Sequence, residues 1–418
     1  MSQPAAVTGL GAVSGFGLGV EVLWQGLLAG QSVLCPRGDG EAWGIAGLPL
    51  SLVPLPGGTS GAAVAGAAVL WESAPRATAM IRLAAAEAMQ DAGLADGVFG
   101  KPGMPPLRLG VCLGTTHGEK APWLASQRQP EPGLVQGAPN SLGVARPAHE
   151  LAGIYGADAV QVLCAACASG NVALTCALGW IRSGRCDVVL CGGGDALNDF
   201  VLRGFQSLRA LSPAACKPFD VRRNGLSLGE GAAFLVIESL AHASRRQQPV
   251  RALLRGSGQS CDANHMTGPD RQGRGASRAM RAALSDAGLA YTDIDFVSAH
   301  GTATPFNDLM EGQAIPAVFA EHTAQLPVNS IKGAVGHSMG AAAALEAVVA
   351  VRALQAQCVP GTIGLVEPDP AIPLHLLHSG RHELRLRHVL STASGFGGLN
   401  AAVILSAANT LRAEEGKA

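Results

Sequence analysis

Two kinds of apolar pattern alternate along the chain. Runs such as "LRLGVCLG" (107–114), "AVQVLCAA" (159–166), "DVVLCGGG" (187–194), "IDFVSAHG" (294–301) and "HVLSTASGFGG" (388–398) are short, largely apolar and closed by small residues. Runs of this kind predict strands buried on both faces. Between them, "TAMIRLAAAEAMQDAGL" (78–94), "ASRAMRAALSDAGL" (276–289) and "AAAALEAVVAVRALQAQ" (341–357) repeat apolar residues at three- and four-residue steps, the period of a helix packed on one side. The first two helices end in the same Asp-Ala-Gly-Leu, 195 positions apart, with a Gly suited to a left-handed C-cap.

The order of elements repeats as well. Each Asp-Ala-Gly-Leu helix is followed by a strand running toward His-Gly, then by a second strand leading into a helix ("AVQVLCAA" into "CASGNVALTCALGWIRSG"; "LPVNS" through the loop "IKGAVGHSMG" into 341–357). Each half then offers one more strand that ends in glycines. The chain is therefore expected to be an α/β protein of two duplicated halves, 1–250 and 251–418, with sheets covered by helices. Pro/Gly-rich loops at 101–106 and about 118–147 decorate the first half, and "NTLRAEEGKA" (409–418) is expected to be a frayed end.

Composition narrows the classes of function. A net charge of −1 with no Lys/Arg run excludes a nucleic-acid footprint. The N-terminal "MSQPAAVTGLGAVSGFG" lacks the basic segment of a signal peptide, and its apolar stretch is broken by repeated Gly, so no membrane span is expected there. Ten cysteines without a secretion signal point to free thiols in the cytoplasm.

"QVLCAACASGNVALTC" (161–176) holds the densest chemistry. Cys164-x-x-Cys167 has only alanines between its thiols, and no second Cys-x-x-Cys follows to complete a zinc site. The four histidines of "HLLHSGRHELRLRH" (375–388) likewise lack a partner motif. Cys164 falls in the strand and Cys176 on the apolar face of the helix, both packing positions. Cys167 falls at the turn between strand and helix, where the unpaired N–H groups and positive end of the helix would lower a thiol pKa. His300 ends a strand and His337 opens a helix in the second half, at the edge where such sheets bind ligands.

With these residues in hand, the chain resembles the β-ketoacyl-[acyl-carrier-protein] synthases. The likeness spans nearly the whole chain: "VTGLGAVSGFG", the Cys167 turn, "KPFDVRRNGLSLGEGAAFLVIE" (217–238), "HMTGPD" (265–270), "HGTATP", "NSIKGAVGH" and "SGFGGLN" (394–400). The resemblance implies a thiolase-like, five-layer αβαβα fold. It also implies an acyltransferase that joins a Cys-bound acyl chain to malonyl-carrier protein by decarboxylative Claisen condensation, in fatty-acid or polyketide/polyene assembly. No cofactor is held permanently, since both substrates ride on the phosphopantetheine of acyl carrier protein, and no metal is expected. Partners are that carrier protein and a second ketosynthase-like chain, identical or merely similar; the apolar strand after Asp158 is a candidate edge for it.

Residue by residue, the resemblance makes Cys167 the nucleophile and gives the Cys167 and Phe396 backbone N–H groups the oxyanion hole. His300 and His337 hold the enolate of the malonyl thioester. Lys332 and Glu346 fix the electrostatics of those histidines, with Asp308 and Glu311 as structural support. Thr302 and Thr304 bind the phosphopantetheine arm, Phe396 gates the acyl pocket, and Arg209 and Thr267 match docking or mouth positions. Asn307 departs from the Gly that usually precedes the Asp, and only Arg76 remains of the basic residues that usually precede Thr78. Two rivals are weaker. A degradative thiolase wants a second cysteine in the last glycine loop, which "SGFGG" lacks, and a non-catalytic chain-length partner loses the nucleophile, which is present.

Overall fold

The computed structural model describes residues 3–36, 47–54, 71, 74–95, 107–119 and 143–411. The loop expected at 101–106, most of that at 118–147 and the end of the C-terminal tail lie outside the described residues.

Ten strands of the twelve-stranded main sheet carry the repeat. In the first half they are β1 (Ala5–Ser14), β2 (Leu109–Gly114), β3 (Ala159–Leu163), β4 (Val188–Asp195) and β5 (Gly231–Glu238). In the second half they are β6 (Ala252–Cys261), β7 (Phe296–Ser298), β8 (Pro327–Asn329), β9 (His388–Gly395) and β10 (Leu399–Ser406). The first half runs β1-β5-β4-β2-β3 and the second β6-β10-β9-β7-β8, so both follow one order. Strand directions agree too: the first three of each series pair antiparallel, the last three parallel. Antiparallel pairing of β1 with β6 joins the halves. The repeat seen in sequence is thus a repeat of topology.

Seven helices place the site: α1 (Arg76–Asp91), α2 (Ser169–Arg182), α3 (Asp199–Ser207), α4 (Arg274–Ala287), α5 (Pro305–Phe319), the short α6 (Lys332–Val335) and α7 (Ala342–Ala356). Strand alternation decides which face each helix covers. Leu109, Val111 and Leu113 of β2 pack in the outer core with α1, while Cys112 between them turns to the core containing α2 and α7. On β10, Ala402 and Ile404 join the cluster with α4 and α5, whereas Val403 and Leu405 turn to the same central core. The result is five layers, with α1 outside, α2 and α7 in the middle, and α4 and α5 on the far side.

The middle layer is tight. A Cβ on Gly170 would sit 2.6 Å from the Ala344 nitrogen, so only glycine lets the start of α2 approach α7 this closely. Among the described residues one helical stretch, Met339–Ala356, is long and apolar enough to cross a membrane, and it is mostly buried within this layer. The stretch expected as a loop, "IKGAVGHSMG", instead holds α6 and a 3-10 turn at Met339–Ala341. β3 lies at the open edge of the sheet, with Val160, Val162 and Leu163 only half-buried.

Candidate active site

The Cys167 turn is built by local hydrogen bonds. Ser169 Oγ accepts from the Ala165 N–H at 2.9 Å and donates to the Ala166 carbonyl at 2.6 Å. Ala166 is left-handed, with φ 48°, a conformation that costs a residue bearing a side chain about 1–2 kcal/mol. The strain turns the chain sharply from β3 into α2 and leaves Cys167 one residue before the α2 N-cap, Ala168. The glycine loop after β9 lies directly on this turn: a Cβ on Gly395 would come within 2.9 Å of the Ala165 oxygen. That packing brings the Phe396 N–H to the Cys167 sulfur, where the Cys167 N–H also points.

Two expectations about the cysteines need correction. Cys164 is not packing inside the strand; it follows β3 and is exposed. The Cys167 thiol is not acidified by its helix. Burial pushes it up to about 12, against the pull of Lys332 and the two N–H groups, because desolvation of a thiolate outweighs the helix end.

From the other half, β7 ends just before His300, whose N–H donates to Glu311 Oε1 at 2.7 Å; the Gly301 N–H donates to Oε2 at 2.7 Å. His337 follows α6, with its N–H donating to the Ser227 carbonyl at 2.7 Å. The two rings meet edge to face, centroids 5.3 Å apart at 87°. Ligand atoms of Cys167, His300 and His337 all lie within 4.8 Å of one another, the only such Cys/His/Asp/Glu group among the described residues. The histidines of 375–388 form no cluster of that kind.

Burial, with Lys332 close by, holds both imidazoles well below their ordinary pKa and therefore neutral. Lys332 Nζ donates to the His300 carbonyl at 2.5 Å, lies 3.4 Å from His300 Nδ1 and pairs with Glu346. An ammonium group can only donate, so Nδ1 must accept and the ring proton sits on Nε2. Lys332 and Glu346 are each 1% exposed, and burial raises the Glu346 carboxyl to about 7 despite Lys332.

A cavity of about 760 Å³ opens over the triad. Thr302, Thr304, Thr267, Arg209 and Phe396 all line it. The two threonine hydroxyls lie 2.9 Å apart, and Thr304 caps α5. Phe396 stacks at 5.6 Å on Phe205 of α3, a neighbour that the sequence did not reveal. The next residue, Gly397, donates its N–H to the Met266 carbonyl at 2.7 Å, tying the Phe396 loop to the segment of Thr267. Arg76 is paired within the chain, its Nε donating to Glu230 at 2.8 Å.

Asp308 and Glu311 lie behind the cavity as paired buried carboxylates, raised by burial to about 6 and about 8. Asn307, noted in sequence only as a departure, donates to both. Asp195 was missed. At the end of β4 it accepts from Thr115 Oγ1 (2.6 Å), the Thr116 N–H (2.9 Å) and the Gly340 N–H (2.8 Å), locking the loop after β2 to the turn after His337. Its only sequence signal is an acid closing the run "LCGGGD". Next to it, buried His117 has no partner for Nε2 among the described residues.

Comparison with known proteins agrees with this geometry. Residues 2–243 match the family described as beta-ketoacyl synthase, N-terminal domain, and residues 251–366 its C-terminal domain. Nodulation protein E of Rhizobium meliloti (strain 1021) is 35% identical, covering 96% of this chain and 98% of that protein. The 3-oxoacyl-[acyl-carrier-protein] synthase 2 of Coxiella burnetii (strain RSA 493 / Nine Mile phase I) is 33% identical, covering 96% and 97%. The ishigamide ketosynthase/chain length factor superposes with a TM-score of 0.83 at 34% identity, covering 97% of this chain and 99% of the solved one. With both halves matched and the thiolase-like layers in place, the chain belongs to the β-ketoacyl synthase, or ketosynthase, family.

Proposed function

We propose that this chain is an active condensing enzyme that extends an acyl group with malonyl-acyl carrier protein. The observation that carries the reading is the convergence of Cys167, His300 and His337 within 4.8 Å, with two backbone N–H groups on the sulfur. First, the Cys167 sulfur attacks the acyl thioester on the carrier; the tetrahedral oxyanion rests on the Cys167 and Phe396 N–H groups, and the carrier thiol leaves. Next, malonyl thioester binds with its phosphopantetheine along Thr302 and Thr304. Its C–C bond to the carboxylate breaks, CO2 departs, and the electron pair forms an enolate whose oxygen accepts from the His300 and His337 Nε2–H groups. The enolate carbon then attacks the acyl-Cys167 carbonyl and expels the thiolate, leaving a 3-oxoacyl-carrier protein.

The neutral imidazoles suit this role, since a donor without charge stabilises an oxyanion and does not capture the malonyl carboxylate as an ion pair. Lys332, held by Glu346, keeps the His300 proton on the side facing the substrate. Arg209 and Thr267 at the cavity rim fit the approach of the carrier and its arm, and Phe396 against Phe205 fits a gate to the acyl pocket. The half-buried edge strand β3 suits pairing with a second chain, identical or a chain-length partner like that named in the ishigamide structure. Ten free thiols suit a reducing, cytoplasmic setting.

The test is mass spectrometry of the protein mixed with acyl-carrier proteins of graded chain length, then with malonyl-carrier protein. A mass increase on the Cys167 peptide, discharged on malonyl addition with release of CO2 and 3-oxoacyl-carrier protein, is expected. No acylation at Cys167 with any carrier would instead favour a non-catalytic partner subunit.

A further inference from the structure

Asn307 stands where a Gly is usual in the ketosynthase pattern, yet it is 92% buried at the cavity wall and its amide nitrogen has two acceptors. Nδ2 donates to Glu311 Oε2 at 2.8 Å and to Asp308 Oδ1 at 3.2 Å. Those carboxylates in turn accept four backbone N–H groups that shape the strand end. Glu311 takes His300 and Gly301, while Asp308 takes Ala303 at 3.1 Å and Phe219 at 2.8 Å. Ala303 is left-handed, φ 66°, between the two threonines of the cavity. His300, Thr302 and Thr304 therefore hang from one carboxylate pair.

That pair is short of positive charge. Arg223 Nε reaches Asp308 only at 4.0 Å and its Nη1 is bound to Asp369 at 2.6 Å. Lys332 acts on Glu311 from a distance but is paired with Glu346. The remaining titratable groups facing the pair are His300, neutral, and the Cys216 thiol. The amide of Asn307 is thus the one side-chain donor in hydrogen-bond contact with both carboxylates among the described residues. If Glu311 took up a proton, it would offer an O–H where Gly301, His300 and Asn307 all present donors, and the strand end would lose a partner.

We propose that Asn307 is a positioning residue that favours the ionised, doubly accepting form of the Asp308–Glu311 pair, and so fixes His300 for decarboxylation. Hydrogen bonds to the ionised form favour it, so removing the donor raises the pair further above the ordinary carboxylate range, to which burial has already lifted both groups. The inference rests on the proposed decarboxylation, but part of its test does not.

Asn307→Leu removes the donor at similar volume, Asn307→Gln restores it on a longer arm, and Asn307→Ala replaces the first if it does not fold. CO2 release from malonyl-carrier protein is followed from pH 5.5 to 9 beside acyl loading of Cys167. In Asn307→Leu the acid limb of CO2 release is expected to move up by about one pH unit, with about tenfold loss near neutrality that recovers at pH 9. KM for the malonyl carrier and loading of Cys167 should change less than about threefold, and Asn307→Gln should move the limb back. Melting temperature gives the activity-free arm. A carboxyl whose pKa is raised on folding takes up a proton as the chain folds, so stability falls as pH rises toward the folded pKa. The Leu variant should match the parent at pH 5.5 and melt progressively lower between pH 7 and 9. An acid limb that stays in place, or an equal loss at every pH, overturns the proposal. If the parent itself releases no CO2, the functional reading fails, and a melting difference independent of pH then overturns the Asn307 assignment separately.

Discussion

Replacing Lys332 by Met separates stability from chemistry in this site. Lys332 and Glu346 form a buried pair, and removing one partner of such a pair costs about 3–5 kcal/mol when the other stays charged. Glu346 can avoid that cost by remaining protonated. In the parent its carboxyl is raised by burial to about 7, so below that pH it is protonated with or without Lys332, and above it only the parent gains by ionising. Its folded pKa lies above the unfolded value, so the contribution is lost as pH rises, and Lys332→Met pushes the folded pKa higher still. The deficit of the variant should therefore be flat at acid pH and grow by about 1.4 kcal/mol per unit above pH 7, about 3 kcal/mol between pH 7 and 9. Urea unfolding across that range is the assay. Lys332→Met with Glu346→Leu removes both charges and should recover most of the alkaline loss. CO2 release should not recover: without a donor at Nδ1 the His300 proton is free to leave Nε2, and on the order of 100-fold is expected to be lost in both variants. A deficit independent of pH, or a double variant as unstable at pH 9 as the single one, would refute the reasoning.

Cys167→Ala should abolish acyl loading while CO2 release from malonyl-carrier protein persists, since that oxyanion rests on the histidines. His300→Ala or His337→Ala should do the reverse, with loading slowed but present and CO2 release down about 100-fold or more. A histidine variant that kept CO2 release and lost loading would exchange the assigned roles. Phe396→Ala, which removes the stack on Phe205, should broaden chain-length preference and uncouple the half-reactions with little change in melting temperature. An unchanged product profile would remove Phe396 as a gate. Light scattering at micromolar concentration should give a dimer through β3; an active monomer would rule that edge out.

Long-range order was readable where the chain repeats itself. Two Asp-Ala-Gly-Leu helices and three pairs of strands suffice to suggest the duplication, because each half must bury the same faces. Cys167 and the two histidines were legible for a related reason: residue types able to do chemistry sit at strand-to-helix turns, where packing has no need of them. Asp195 was not legible, because its partners Thr115, Thr116 and Gly340 come from segments about 80 and 145 positions away. Asn307 looked like a defect in a motif, and only the convergence of Asp308, Glu311 and two strand-end N–H groups gives it a purpose. The Cys167 thiol was misjudged for want of burial: a helix end is visible in sequence, but the depth at which it lies is not.

That depth also bears on how the proposed reaction would serve two oxyanions in turn. Burial raises the Cys167 thiol and lowers both imidazoles, so all three groups at the reacting centre are neutral before substrate arrives. The one nearby ion pair, Lys332–Glu346, is internally balanced and faces the back of His300. At the reacting centre itself, charge then arises only in a reaction intermediate. It falls either on the backbone N–H groups at Cys167 and Phe396 or on the imidazole N–H groups, where fixed donors act at low dielectric and need no reorganisation. The cost is a thiol that is a poor nucleophile at rest. Its proton must leave as the thioester reacts, and since the imidazoles already carry theirs on Nε2, it goes to the departing carrier sulfur, which leaves as the thiol. Loading that is slowed but present in the histidine variants, with CO2 release down about 100-fold or more, is the signature that this division of labour demands.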